Sequence, residues 1–323
     1  MNFKPILLVA GEPNSIFLEI FFKALKNIKI KSPLILIASL EVLNLQMNKL
    51  NFNKKIKIIN HKNLYSYKLN NKTINLIDIR YKPTKAFEKI TSKSKNYIEK
   101  CFKTAIEIIN SGYTNKLING PISKKHFLNK RFPGITEYLA EKFKKKKIAM
   151  LIYNKKLSVS TITTHLSIKN VPKNINKKSI IDKVNLINSF YKKFIGIKKP
   201  RIGVTGLNPH CESIEHFNED MKILKPAIRQ LYKQGIKISG PFAADTIFLK
   251  NNRKNFDIIL GMYHDQVLTP LKTLFEYDAI NITLGLPIIR ISPDHGPNEG
   301  MLGKNLSNPL SLIKAINFLN KIK

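Results

Sequence analysis

FDIILGMYHDQVLTPLK, residues 256–272, sets an apolar run against the polar mouth of His264, Asp265 and Gln266, with Pro270 and Lys272 just beyond. A short apolar run stopping at glycine reads as a buried strand, and the polar residues after it as the loop at its carboxyl end. A turn containing Pro270 is expected between His264 and Lys272.

The same unit recurs along the chain. PILLVAG (5–11), LILIAS (34–39), KIKIIN (55–60), KLING (116–120), KKIAMLIYN (146–154), KLSVSTITT (156–164) and PRIGVTGLN (200–208) read as strands or strands running into loops, and NITLGLPIIRI (281–291) as one or two more. Helical period marks 15–27, 40–50, 91–111 closing at Gly112, 184–194, 218–235 closing at Gly235, and 309–322. Strands alternating with helices specify an α/β fold on a mostly parallel sheet, with helices on both faces. Ligands of such sheets lie outside the carboxyl ends of the strands. The polar clusters GEPNS, NGPISK, TTHLS, NPHCES and YHDQ all fall there.

At 323 residues and 43% hydrophobic content the chain has material for one large or two medium cores. Its apolar runs are far shorter than the roughly 20 residues of a membrane span, and the start reads as a first strand rather than a signal peptide. Two cysteines make no disulfide framework, so a cytoplasmic location is expected. The net charge is +35, yet only six of the 56 basic residues are Arg; the other 50 are Lys, spread along the whole chain. Lys, Asn and Ile share A/T-rich codons, which suffices to explain the charge. No module with Arg forks and interleaved aromatics is present, so neither a nucleic acid nor a membrane is expected as a partner. The positive field favours anionic substrates.

Three histidines, His165, His210 and His264, sit at strand ends. Imidazole is the commonest ligand for zinc-like metals, and three ligands with an open position make a catalytic site; the alternative for each is a hydrogen-bonded loop histidine. His61, His126 and His216 lack that placement and read as surface residues, whereas loop-borne His295 fits either role. Asp245 in GPFAADT is a further candidate, as a metal ligand, as a residue orienting a ligand histidine, or as a helix N-cap. Arg290 follows an apolar run. A buried Arg needs an anionic partner, either a substrate group or Asp294. Lys272, Asn281 and Arg290 recur at nine-residue intervals. Neither a dinucleotide-binding Gly-x-Gly-x-x-Gly nor a P-loop follows the first strand.

Taken together, GEPNSIFLE, NGPISKKHF, PGITEYLAE, TTHLSIKNVP, GLNPHCES, NEDMKILKPAI, GPFAADTIF and the run YHDQ…SPDHG (263–296) resemble the 4-hydroxythreonine-4-phosphate dehydrogenases of vitamin B6 biosynthesis, in order from residue 9 to the C-terminus. The resemblance implies a fold like isocitrate and isopropylmalate dehydrogenases, with two α/β/α domains and an active-site cleft between them. Residues 1–125 with 282–323 would form the first domain, and 126–281 a second one carrying metal ligands and dimer contacts. It implies a homodimer that completes each active site, a divalent metal (Zn, Mg or Co) on His165, His210 and His264, with Asp245 as a further ligand or a support, and substrate binding by Thr136, Lys272, Asn281 and Arg290. Asp265 and Gln266 are expected to support His264. NAD or NADP would lie against the loop of Asp294, His295, Gly296, Gly303 and Lys304. The implied reaction oxidises the secondary alcohol of 4-phosphooxy-threonine; the resulting 3-oxo acid loses CO2 and leaves 3-amino-2-oxopropyl phosphate.

Three stretches depart from the family pattern. The substrate-contacting histidine of its Gly-His-Thr-Glu is Ile135 here, which loses about 1–3 kcal/mol of binding if the substrate is unchanged. Residues 297–302 are rewritten, and two glycines of the glycine-rich start are replaced between Gly11 and Glu19. Ile135 motivates a second reading, a dehydrogenase for another phosphorylated hydroxy acid such as phospho-threonate or phospho-erythronate. A third is a basic binding protein without catalysis.

Overall fold

Strands and helices alternate along the computed structural model, which describes residues 3–28, 30–128, 131–212, 217–293 and 295–322. In chain order they are β1 (Ile6–Val9), α1 (Phe17–Asn27), β2 (Leu34–Ala38), α2 (Leu40–Lys49), β3 (Ile56–Ile58), β4 (Ile74–Asp78), α3 (Lys95–Asn110), β5 (Lys116–Asn119), α4 (Ile135–Lys142), β6 (Ala149–Tyr153), β7 (Ser158–Thr161), α5 (Val171–Asn174), α6 (Lys177–Phe190), β8 (Ile202–Thr205), α7 (Lys225–Lys233), β9 (Ile238–Phe242), α8 (Ala244–Ile247), α9 (Lys250–Arg253), β10 (Ile258–Gly261), α10 (His264–Phe275), β11 (Ile280–Leu284), β12 (Ile289–Pro293) and α11 (Leu310–Leu319). The chain divides into two units, Met1–Phe143 with Pro287–Lys323, and Lys144–Leu286.

In the first unit six parallel strands are ordered β3-β4-β2-β1-β5-β12. β1 and β2 are buried at every residue, the continuous apolar run that a parallel strand covered on both faces requires. α3 packs on β1 and β2, and α11 on β5, β12 and α1. β4 escapes the sequence reading because Asn75 interrupts its apolar run. That side chain is nonetheless fully buried, its amide donating to the carbonyls of Leu34 and Asn70, each at 2.8 Å. Among the described residues Lys116 is the one buried lysine, and its ammonium donates to the Ile322 carbonyl.

The second unit orders its strands β11-β6-β7-β10-β8-β9. β7, β10, β8 and β9 run parallel; β6 is antiparallel to β7, and β11 to β6. Val267, Leu268 and Leu271 of α10 pack into a core with Ile152, Val159 and Ile259 of the sheet. That apolar face corrects the expected turn at Pro270: Pro270 lies inside a continuous helix from His264 to Phe275. It removes one backbone bond, to the Gln266 carbonyl, and burial of the helix face outweighs the loss.

The boundaries also differ from the expected 125/126 and 281/282. α4 stays with the first unit because Tyr138 packs edge-on against Phe102 of α3 and against Phe127, at ring-centroid distances of 5.7 and 5.4 Å. A cut after Asn281 would split β11, which pairs with β6 along its whole length.

Candidate active site

β10 lies between β7 and β8, so the loops carrying His165, His264 and His210 leave three consecutive parallel strands. The loop after β7 is stapled to the end of β10. Ile162 N donates to Gly261 O at 2.8 Å, while Thr163 N and Oγ1 both reach Met262 O, at 3.0 and 2.7 Å. His165 follows in the left-handed region, φ 52°. Its ring centroid stands 5.7 Å from that of His264, the first residue of α10. Asp265 Oδ1 lies 2.8 Å from His264 Nδ1. An ionised carboxylate only accepts, so Nδ1 is the donor of this contact, and in the neutral ring that tautomer leaves the Nε2 lone pair for a metal.

His210 occupies the loop after β8, again with a left-handed backbone, φ 54°, and Cys211 continues at 64°. Such residues cost on the order of 1–2 kcal/mol each and persist only where their surroundings over-determine them. Here the buried Asp220 does so: its carboxylate accepts from Leu207 N at 2.7 Å and from both Asn208 N and Nδ2 at 3.1 Å. Gly206 makes the tight path possible, since a Cβ there would stand 2.6 Å from Cys211 Sγ and 3.0 Å from Asp220 Oδ1. Burial pushes the Cys211 thiol pKa up, aided by the charge of Asp220 and, less, of Asp245. Asp245 is exposed in the first turn of α8, whose N-cap is Ala243, so the N-cap alternative does not hold. The structure brings His165 and His264 side by side and presents His210 from the other flank of β10. Among the described residues no three His, Cys, Asp or Glu side chains converge on one metal position.

Arg290, on β12 in the first unit, is completely buried. Its Nε donates to Asn119 Oδ1 at 2.7 Å and its Nη1 to Thr136 Oγ1 at 3.3 Å. Burial pulls its pKa down to about 10, against the opposing charge of Glu137. Asp294, the alternative ion-pair partner, lies outside the described residues, as does His216. Asn119 ends β5 in the NGP cluster, and the sequence reading did not single it out. Ile135, half-buried, starts α4 beside Thr136. In the second unit Lys272 lies two turns along α10 from His264. Asn281 sits on β11 with its Oδ1 buried and, among the described residues, without a hydrogen-bond partner.

The two rewritten loops of the first unit touch each other: Ile16 N donates to Pro297 O at 3.2 Å. The start loop is closed by its own side chains. Ser15 Oγ donates to Glu12 O at 2.7 Å and accepts from Phe17 N at 3.3 Å, and residues 10–18 are all buried. Glu12 is buried with them, accepting from Ser94 Oγ at 2.8 Å; burial raises its pKa. The loop 295–304 is more open. His295 Nδ1 lies 3.0 Å from Gly296 O, an added Cβ at Gly296 would meet nothing within 4 Å, and Lys304 is exposed. Gly303 precedes Lys304 in the turn that ends it, Lys304 N donating to Met301 O at 3.2 Å. That exposed backbone fits a ligand lying along the loop. The paired imidazoles, with a third in the loop after the adjoining strand, fit a divalent metal by donor chemistry.

Two α/β units on mostly parallel strands, one with three histidines just beyond its strand ends and the other with a buried arginine on β12, have the fold of a dehydrogenase. Residues 29–319 match the family described as "Pyridoxal phosphate biosynthetic protein PdxA", and the chain belongs to that family of oxidoreductases. It is 39% identical over 318 residues to 4-hydroxythreonine-4-phosphate dehydrogenase of Sulfurihydrogenibium sp. (strain YO3AOP1), covering 96% of each chain. It is 32% identical over 303 residues to D-threonate 4-phosphate dehydrogenase of Salmonella typhimurium (strain LT2), covering 92% of each. The crystal structure of 4-hydroxythreonine-4-phosphate dehydrogenase from Klebsiella pneumoniae superposes with a TM-score of 0.82 at 28% identity over 98% of both chains. The fold extends to isocitrate dehydrogenase from Methylococcus capsulatus, with a TM-score of 0.50 at 9% identity over 98% of this chain and 84% of that one.

Proposed function

We propose that the protein catalyses the NAD(P)-linked oxidation of 4-phosphooxy-L-threonine with loss of CO2, in the cytoplasm, as a step of pyridoxal phosphate synthesis. The observation that carries this reading is the pairing of His165 and His264 at neighbouring strand ends, 5.7 Å between centroids, in a chain of this family. The C3 alcohol gives up a hydride and a proton to become a ketone. The C1–C2 bond then breaks, its electron pair staying on C2, which takes up a proton as CO2 leaves. A divalent cation on His165, His210 and His264 would supply Lewis acidity at the alcohol and the ketone, and the nicotinamide would accept the hydride.

The protein's own residues bind and orient. Arg290, pre-aimed by Asn119 and Thr136, offers a buried cation to an anionic substrate group. Lys272 adds a second charge, and the buried Asn281 Oδ1 is an acceptor suited to a ligand donor. The loop from His295 to Lys304 is the expected rest for the nicotinamide cofactor. Two imidazoles paired within one chain and a third in the loop after the adjoining strand suit a ligand set completed in a homodimer. The free thiols Cys101 and Cys211 are in keeping with a reducing cytoplasm, and no helix among the described residues is long and apolar enough to cross a membrane.

A second reading, oxidation of a phospho-aldonate, is favoured by Ile135 and by the likeness to a D-threonate 4-phosphate dehydrogenase. Steady-state assays with both substrates, either nicotinamide and added Zn, Mg or Co decide between them. Turnover of 4-phosphooxy-L-threonine, improved in Ile135→His, is the expected result. Turnover of phospho-threonate or phospho-erythronate alone overturns the first reading.

A further inference from the structure

Gln266 is the third residue of α10, and its side chain turns back to the ends of two strands. Its Oε1 accepts from Met262 N at 2.7 Å and from Thr205 Oγ1 at 2.8 Å; its Nε2 donates to Gly206 O at 2.7 Å. Met262 directly follows β10, and Thr205 and Gly206 span the end of β8. One amide therefore ties the two parallel strands together where their own pairing stops. The chemistry suits an amide: Met262 N only donates, Gly206 O only accepts, and an amide presents an acceptor and a donor at once while staying uncharged. A glutamate would set a carboxylate oxygen against the Gly206 carbonyl. Gly261 leaves room for the arrangement, since a Cβ there would stand 2.5 Å from Val267 Cγ1 and 3.1 Å from Gln266 Oε1.

From this cross-link the chain runs two residues back to His264. In the other strand it runs through Leu207 and Asn208, both held by Asp220, to His210. We propose that Gln266 is a positioning residue that fixes the His210 loop against the His264 helix start, so that both imidazoles are preset as ligands of a divalent cation. The role reaches past the neighbouring histidine to the loop of the next strand. It rests on the reading of these histidines as metal ligands.

The test uses the full-length protein stripped of metal and titrated with Co2+, following affinity and the visible ligand-field absorption, alongside the melting temperature of the metal-free protein. Gln266→Met, close in volume but without the amide, is expected to weaken Co2+ binding about tenfold or more and to alter the absorption band. Thr205→Val, which removes one of the three bonds, is expected to give a smaller loss in the same direction, and it carries the test if Gln266→Met does not fold. Wild-type affinity and spectrum in the variants overturn the positioning role and leave the metal reading standing. A lowered melting temperature with unchanged Co2+ binding overturns it as well. A wild-type protein that takes up no Co2+ overturns both.

Discussion

Arg290 Nε donates to Asn119 Oδ1 at 2.7 Å, across neighbouring strands β12 and β5, with both side chains buried. A guanidinium out of water is costly unless its donors are aimed, and here Asn119 and Thr136 aim it. Arg290→Lys keeps the charge and loses the fork. It is expected to lower kcat/KM for the phosphorylated substrate about 10- to 100-fold. Asn119→Ala, with Arg290 kept, should act in the same direction through KM. Steady-state kinetics on both variants checks this; wild-type kcat/KM would contradict it.

Asn281 keeps a buried acceptor without a partner among the described residues, a cost of about 1–3 kcal/mol to the fold. Asn281→Leu is expected to leave the melting temperature unchanged or raised while KM for the substrate rises. A thermal melt and a substrate titration measure the two effects, and a fall in both stability and KM would refute the assignment.

Glu12 gives a pH signature. Its folded pKa is raised above the ordinary 4.5, first by burial. An acid with a raised folded pKa holds its proton more tightly when folded, so its contribution is most favourable below 4.5 and is lost as pH rises through the folded value. At pH 7 its buried charge is a net cost. Glu12→Gln is expected to raise the melting temperature at pH 7 by about 2 °C, with the gap closing below pH 4.5. Calorimetry across that range checks it.

Part of the candidate site was legible because its polar residues gather at strand ends, and strand ends are written as an apolar run followed by polar residues. That pattern alone picked out His165, His210 and His264, and two of them stand side by side in the folded chain. What stayed hidden depends on partners distant in sequence. Asp220 lies in a stretch of helical period, where nothing marks it as the clamp of residues 207 and 208. Asn119 was visible only as part of NGP, since its value comes from Arg290, far along the chain. Pro270 was read as a turn because proline breaks isolated helices; the core beneath α10 overrides that preference. The domain boundary was misplaced because Tyr138 commits α4 to the first unit by aromatic packing that no local composition announces.

Lys116 is secluded among many exposed lysines, so the lysines among the described residues are sorted by depth. A/T-rich codons would favour lysine at every position alike; burial does not. On the surface a lysine keeps its hydration and costs the fold little, whereas at Gly206, Gly261 and Arg290 neighbours crowd or hold the position from several sides and an ammonium would have to displace them. The composition of this protein is thus two compositions, one set by codons outside and one set by packing within.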